Sequence, residues 1–210
     1  MNQIMQEKEV YSKKIDSCFL ILLVFIFFLL SSLSLFAQEN KEVKKLVYEY
    51  LNNINEFSSL FIQTNNESLS EGKLFYMDNR LRVDYTSPTK IIIIISEKKA
   101  MYYNKDLDEI EYFNPKKSIA KIFFNIFNQI KFFNDAKFSY QENYIQLKKE
   151  IIIDEDDKYK LEITFEKNPT LLRNIKIYND NEIWDYNIIN HNFYPGLERK
   201  FFSMAKSNFN

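Results

Sequence analysis

Residues Arg80 to Ile95, RLRVDYTSPTKIIIII, carry the clearest structural pattern in the chain. The first six side chains alternate between polar and apolar, so Leu81, Val83 and Tyr85 share one face of a predicted strand. Pro88 breaks this strand. The five isoleucines that follow are β-branched and predict a second strand, one that is buried on both faces.

Similar strand patterns separated by short turns lie on both sides of this stretch. Before it, we predict strands at Phe57 to Thr64 and Leu74 to Met77, with a turn over Ser68 to Gly72. After it, the predicted strands are Ala100 to Asn104, Glu109 to Phe113, Ala136 to Tyr140, Tyr144 to Ile153, Tyr159 to Phe165, Leu171 to Tyr178 and Glu182 to Asn190. About ten strands with short turns indicate an antiparallel meander with one apolar face per strand.

Two segments have helical spacing of their apolar residues. The first begins at Val43 and ends near Asn52-Asn53, and the second covers Ser118 to Lys131. Two helices cannot cover so wide a sheet by simple packing. We therefore predict an α+β fold, in which a curved antiparallel sheet forms an incomplete β-barrel around a hydrophobic cavity and two or three helices cover it.

Composition argues against most classes of enzyme and against nucleic-acid binding. The 210 residues contain 28 Lys and Arg against 29 Asp and Glu, so a net charge of -1 gives no general attraction to nucleic acid. Cys18 is the only cysteine and His191 the only histidine, which leaves little for a zinc site or a catalytic pair. The acidic turn Asp154 to Asp157 lacks the glycine and distal glutamate of a calcium loop, and a solvated hairpin tip is the better interpretation. We predict neither enzymatic activity nor a metal or other cofactor.

The amino terminus has the pattern of a secretory signal peptide. Lys13 and Lys14 precede the apolar run Phe19 to Leu30, and a small residue, Ala37, comes just before a polar segment. We predict a signal peptide over residues 1–37, with cleavage after Ser34 as an open alternative, and a single domain over residues 38–210. Residues 19–37 could instead remain as a membrane anchor, and both interpretations export the domain.

Aromatic residues are 17% of the chain, and the strand patterns place many of them with isoleucines on one face. An ordinary core accounts for part of this excess. Apolar side chains that line an enclosed face also favour binding of an aliphatic ligand.

An ordered set of motifs resembles one known family. The set consists of Phe61 to Gln63, Gly72, Arg82 to Tyr85 with Pro88, Ile91 to Ile95, and Tyr103 to Leu107. It is similar to the strand, Gly-led strand, R-x-x-Y, hydrophobic strand and Y-x-x-x-L turn of the periplasmic outer-membrane lipoprotein carrier family (LolA). Two features depart from that family, because Asp78-Asn79 replaces an Arg-Pro pair and Glu97-Lys98 replaces an Asp-Gly turn.

The resemblance implies a monomeric periplasmic carrier that shields the acyl chains of lipoproteins between the inner and the outer membrane. Its implied partners are acylated lipoproteins, a donor ABC transporter of the inner membrane and an acceptor receptor lipoprotein of the outer membrane. We expect a lipid-binding cavity at Leu81, Val83 and Tyr85, then at Ile92, Ile94, Met101 and Tyr103. The expected lid residues are Ile119, Ile122, Phe123 and Ile126, with Arg80 as a candidate latch. The alternative is an envelope protein-binding or stress-sensing module of related fold, anchored through residues 19–37.

Overall fold

The computed structural model of the chain describes residues 41–66, 68–154, 157–180 and 182–206. The predicted signal peptide, residues 1–37, lies outside the described residues. One compact unit covers Val43–Asn210, and of the other unit, Met1–Glu42, only the last two residues are described. In the described ranges, no helix combines the length and the apolar character needed to cross a membrane.

Eleven antiparallel strands form a single sheet within the described residues. They are β1 (Glu56–Asn65), β2 (Ser68–Met77), β3 (Arg80–Ser87), β4 (Ile91–Ile95), β5 (Ala100–Asn104), β6 (Glu109–Phe113), β7 (Lys137–Tyr140), β8 (Tyr144–Ile152), β9 (Lys158–Glu166), β10 (Leu171–Asn179) and β11 (Glu182–Asn192). Neighbours in sequence are neighbours in the sheet, except that β11 pairs with β1 and β6 does not pair with β7. The sheet is therefore open between β6 and β7, which confirms the predicted incomplete barrel.

Two α-helices accompany the sheet in the described part of the chain. The first, α1, covers residues 41–53, and the second, α2 (Ala120–Asn128), lies in the connection between the two edge strands β6 and β7. Single-turn 3-10 helices occur at Pro115–Lys117, Ile130–Phe133 and Arg199–Phe202. The α2 helix is shorter than predicted because Ser118 has an extended backbone before it and Gln129 leaves the helical region after it.

Residues Ser68 to Gly72 belong to a strand, so the turn predicted there is wrong. β2 pairs with β1 along its whole length, from Glu56 opposite Met77 to Asn65 opposite Ser68. β1 instead ends at Asn65, and the next residue, Asn66, leaves the strand with a positive φ of 48°. The first residues of β2 are polar or exposed, so they lack the buried alternation by which a strand is recognised.

The core lies between the inner face of the sheet and the two helices, α1 and α2, that cover this face. Val47 and Leu51 of α1 and Ile122 and Ile126 of α2 are buried against strand residues such as Phe165. The β-strands contribute most of the fully buried side chains, from Phe57 near the amino end to Ile188 in β11. Burial of this continuous apolar face is what holds the curved sheet and its helices together.

The carboxy-terminal residues 199–206, which we call the C-terminal strap, cross the outer face of the sheet. The Arg82 guanidinium donates to both carboxylate oxygens of Asp84 at 2.7 and 3.0 Å and to the carbonyl oxygen of Phe201 at 2.7 Å. Its carbon Cζ lies 4.0 Å from the centre of the Phe201 ring. Tyr112 donates to the carbonyl oxygen of Met204 at 2.8 Å. These bonds fix the strap over a second, smaller apolar cluster, which consists of Ile92, Ile94, Met101 and Tyr103 with Ile110 and Met204 packed against it.

His191 makes the stability of the fold sensitive to acid. Its ring stacks between Phe57 and Phe193, with centroids 6.4 and 5.9 Å away, and both ring nitrogens are buried. Burial, with a further contribution from the nearby Arg173 cation, lowers the pKa of His191 below its usual 6.5. As the pH falls below 6.5, the unfolded chain binds this proton before the folded chain does, so stability decreases.

We expect His191→Phe, which keeps an aromatic ring in the stack, to reduce this acid sensitivity. The measurement is urea denaturation of both proteins at about pH 7.5 and about pH 5. The wild-type chain should lose more free energy of unfolding between the two conditions than the variant. Equal losses would show that folding does not lower the pKa of His191, which would contradict its burial between the two rings.

Candidate ligand cavity

An apolar cavity of about 290 Å³ lies between the inner face of the sheet and the start of α2. The strands β1 to β4, β6 and β11 supply its walls, and α2 with the turn before it supplies the roof. The lining residues are Phe61, Leu74, Val83, Tyr85, Ile93, Ile95, Phe113, Ser118, Ile119, Ala120, Phe123, Tyr186 and Ile188. Almost all of the exposed lining is carbon, which suits an aliphatic ligand and little else.

The alternating strand β3 places its apolar side chains as the sequence indicates. Val83 and Tyr85 line the cavity. Leu81 is fully buried on the same face, but it lies beyond the end of the cavity and packs in the core. The face of β3 that turns towards the cavity was therefore identified correctly from its alternation, whereas lipid binding by these residues remains a proposal.

The structure places Ile92, Ile94, Met101 and Tyr103 on the outer face, not in the cavity. They form a separate apolar cluster with Ile110 and Met204. Directly paired residues of antiparallel strands point to the same side, and the partner of Val83 in β4 is Ile93. Ile93 and Ile95 therefore line the cavity, and the expectation for the other four residues is corrected.

The predicted lid residues divide into two pairs. Ile119 and Phe123 line the cavity, and Phe123 packs edge-to-face on Tyr186 with ring centroids 5.0 Å apart. Ile122 and Ile126 are fully buried in the core and do not reach the cavity. The helix thus uses one side to roof the cavity and another to attach itself to the sheet.

Arg80 does not hold α2 in place. It is the first residue of β3, directly after the turn from β2, and its side chain makes no hydrogen bond or ion pair with any other described residue. The helix is tethered instead at both ends, where Tyr76 donates to Asn128 Oδ1 at 3.2 Å and Lys121 Nζ donates to the carbonyl oxygens of Ile152 and Ile153 at 3.3 and 3.4 Å. The sequence motifs gave no reason to select Tyr76 or Lys121 as residues that hold the helix.

Three polar side chains lie at one end of the cavity, and they are Gln63 of β1, Tyr85 of β3 and Tyr186 of β11. We call them the polar rim. Tyr85 donates to Gln63 Oε1 at 2.6 Å, and the Tyr186 hydroxyl bonds to Tyr85. Burial raises the pKa of Tyr85 to about 12 and also raises the pKa of Tyr186 well above its usual value. Both hydroxyls therefore stay neutral at any physiological pH.

Gly72 makes room for the aromatic side chains beside the polar rim. It lies opposite Phe61 in β1 and Tyr85 in β3, whose rings pack edge-to-face with centroids 5.1 Å apart. A Cβ atom at this position would lie 2.6 Å from Cζ of Phe61 and 2.4 Å from the carbonyl oxygen of Asp84. The second contact is with backbone, so it cannot be relieved by rotating a side chain.

We expect Gly72→Ala to destabilise the fold, because β2 and β3 must separate to admit the methyl group. Overpacking of this kind typically costs about 1–3 kcal/mol. Urea denaturation monitored by circular dichroism measures the loss. A suitable control is Ser70→Ala, two residues earlier on the same strand, which should change the free energy of unfolding much less. An equal effect of the two substitutions would contradict the close contact at Gly72.

Other candidate chemistry is sparse in the part of the chain that the structure describes. It contains no group of three or more His, Cys, Asp or Glu side chains that could hold a metal ion. His191 packs between two phenylalanine rings and does not line the cavity. Phe61, Tyr186 and Ile188 were not expected as cavity residues, although each lies in a strand that the sequence predicts.

Comparison with known proteins gives one family and several similar folds. The sequence profile of the family described as outer membrane lipoprotein carrier protein LolA matches residues 52–205. No curated protein matches the sequence. An uncharacterised conserved protein from Thermus thermophilus is 10% identical, with a TM-score of 0.52 over 80% of this chain and 95% of that one.

Two further solved structures are more distant. A LolA superfamily protein from Nitrosomonas europaea is 10% identical, with a TM-score of 0.45 over 78% of this chain and 97% of that one. In the MucA/MucB complex of Pseudomonas aeruginosa, one chain is 11% identical, with a TM-score of 0.43 over 77% of this chain and 62% of that one.

Proposed function

The chain belongs to the outer membrane lipoprotein carrier protein LolA family, and from this membership we propose that it shields the acyl chains of lipoproteins and carries them from the inner to the outer membrane. The observation that supports the proposal most is the apolar cavity between the sheet and α2. We further propose that the chain works in the periplasm as a monomer, and that residues 1–37 serve as its export signal.

The energetics of acyl chains explain why such a carrier needs an apolar cavity. Burial of each methylene group is worth about 0.8 kcal/mol, so a 16-carbon chain gains on the order of 12 kcal/mol when it leaves water. A lipoprotein that crosses an aqueous compartment must therefore keep its chains covered. Val83, Ile93 and Ile119 give the cavity the carbon surface that this requires.

The cavity in this conformation is too small for several acyl chains. Its volume of about 290 Å³ is at the lower end of the range for small-molecule sites. We propose that α2 moves outward when cargo enters. This movement breaks the hydrogen bonds of Tyr76 and Lys121, each worth about 0.5–1.5 kcal/mol, and loosens the packing of Ile122 and Ile126. Burial of an acyl chain, on the order of 12 kcal/mol, supplies the free energy that opposes these losses.

The proposed route follows the family. An ABC transporter of the inner membrane would supply the acylated lipoprotein, and a receptor lipoprotein of the outer membrane would accept it. No covalent bond is made or broken, so the chain needs no catalytic residue or cofactor. Moderate affinity suits this role better than very tight binding, because the cargo must leave at the acceptor.

Native mass spectrometry of the full-length chain, purified from the cell envelope, tests this function. We expect complexes whose mass exceeds that of the chain by the mass of an acylated lipoprotein. The free amino terminus, read in the same experiment, shows whether residues 1–37 have been removed. A chain that retains these residues and carries no acylated cargo would contradict the proposal and favour an anchored, protein-binding envelope module.

A further inference from the structure

We propose that the polar rim, Gln63, Tyr85 and Tyr186, binds the carbonyl group through which an acyl chain is attached to its cargo, and so fixes the direction in which the chain enters the cavity. This inference rests on the proposed function, since it names the part of the cargo that each end of the cavity recognises. Two observations support it: the position of the three residues, and a set of hydrogen bonds that leaves the Gln63 amide nitrogen without a partner among the described residues.

Strand register places the rim at one end of the cavity. Along β3, Leu81 lies at the core end and Tyr85 four residues further on. Gln63 of β1 lies directly opposite Tyr186 of β11, one inward position beyond the pair Phe61 and Ile188. The three polar residues therefore close the same end, while the other end is bounded by Leu81 and its apolar neighbours.

The surroundings of the rim show that it borders both carbon and water. Tyr85 and Tyr186 line the cavity, and each contributes an aromatic ring to its wall. Gln63 does not line the cavity and is half-buried, three residues before the turn that joins β1 to β2. A ligand group held here would have its apolar part in the cavity and its polar part directed towards solvent.

The hydrogen bonds of the rim leave one donor available. Tyr186 bonds to Tyr85, and Tyr85 donates to Gln63 Oε1. This arrangement fixes the Gln63 side chain with its oxygen engaged and its amide nitrogen, Nε2, without a hydrogen bond to any other described residue. An amide N–H that faces no internal acceptor is suited to donate to the carbonyl oxygen of an ester or amide.

The chemistry selects a carbonyl over other polar groups. Gln63 and the two tyrosines are neutral, so the rim offers no charge to compensate a free phosphate or carboxylate. An acyl ester or acyl amide presents an uncharged carbonyl oxygen at the root of an alkyl chain. The site matches this group, because the Gln63 amide can donate to the carbonyl oxygen while the cavity holds the alkyl chain.

A purely structural role for the rim makes different predictions, and Gln63→Glu separates the two roles. Glutamate keeps an oxygen to accept the Tyr85 hydrogen bond but removes the N–H donor and adds a negative charge that repels a carbonyl oxygen. The control is Tyr102→Phe, which removes the hydroxyl group of an inner-face tyrosine opposite Ile93; this hydroxyl makes no hydrogen bond to any other described residue.

The probes are methyl decanoate, labelled with carbon-13 at its carbonyl, and undecane, which has a similar chain and no carbonyl. Their affinities are measured by displacement of the apolar dye N-phenyl-1-naphthylamine from the full chain. We expect Gln63→Glu to weaken binding of the ester roughly three- to ten-fold, the range for loss of one hydrogen bond, and to leave undecane unchanged. Tyr102→Phe should leave both affinities unchanged.

Infrared spectroscopy of the labelled ester gives a readout that a structural role would not move. With the wild-type chain, the carbonyl stretch should shift to lower frequency than in an alkane solvent, and with Gln63→Glu the shift should be lost. Equal ester affinity and an unshifted carbonyl in both proteins would overturn the carbonyl site while leaving the carrier function intact. Failure of the wild-type chain to bind the dye and both probes would instead overturn the carrier function itself.

Discussion

Val83→Glu is expected to abolish acyl binding while the protein still folds. Val83 is the central cavity residue of β3, paired with Leu74 on one side and Ile93 on the other. In the empty cavity a glutamate side chain can keep water around its carboxylate, so the fold tolerates it. An acyl chain would have to displace that water, and the effective cost of desolvating a charge is several kcal/mol.

The loss should reach roughly a hundred-fold or more in affinity, because each 1.4 kcal/mol corresponds to a factor of about ten. Fluorescence titration with an apolar dye and capture of acylated lipoprotein both measure it. Ile189→Glu is the matched control, since it introduces the same charge in β11 at a residue that is 39% exposed. Val83→Glu that binds as well as this control would refute the assignment of the inner face.

Arg82→Met should give the largest loss of stability among the substitutions discussed. The Arg82 and Asp84 side chains are only 10% and 24% exposed, and the guanidinium also holds the carbonyl oxygen of Phe201. Removing one partner of a buried ion pair costs about 3–5 kcal/mol, and the partial exposure of Asp84 reduces this to about 2–3 kcal/mol here. The C-terminal strap should loosen at the same time.

Urea denaturation measures the free energy of unfolding, and limited proteolysis followed by mass spectrometry detects cleavage within residues 199–206. The double substitution Arg82→Met/Asp84→Leu provides the comparison, because replacing both charges with apolar groups removes the isolated carboxylate and should restore much of the stability. A single variant as stable as the wild type, with an equally resistant strap, would contradict the role given to Arg82.

The strand pattern of β3 shows how much of the fold local sequence determines. Alternation of Leu81, Val83 and Tyr85 with charged residues identifies both the strand and its inner face, because a charged side chain is costly to bury without a partner. The same reasoning located most other strands and the open sheet. It was less successful where polar residues continue a strand, as at the start of β2.

Alternation could not predict which side chains of β4 lie on the inner face. Five consecutive isoleucines contain no alternation, so the sequence is equally compatible with either face, and a shift of one residue exchanges all inner and outer side chains. The register with β3 determines which isoleucines lie on the inner face, because it places Ile93 opposite Val83. The outer residues Ile92 and Ile94 then need cover of their own, which the outer-face cluster with Met204 supplies.

Contacts between distant segments could not be predicted from local sequence either. Arg80 and Arg82 are indistinguishable as alternating basic residues, yet only Arg82 meets the carbonyl oxygen of Phe201, 119 residues away in sequence. The polar rim likewise joins β1, β3 and β11, and nothing in the order of the chain indicates that Tyr186 will lie beside Tyr85. Pairing of β1 with β11 creates this contact.

Methyl nuclear magnetic resonance with a spin-labelled lipid tests directly whether the inner face holds an acyl chain. The probe is methyl stearate with a nitroxide near its methyl end, added to protein labelled at isoleucine methyl groups. We predict that the signals of Ile93, Ile95 and Ile119 broaden more strongly than those of Ile92 and Ile94, which lie on the other side of the same sheet. Stronger broadening of Ile92 and Ile94 than of the cavity signals would show that lipid binds elsewhere and would contradict binding at the inner face.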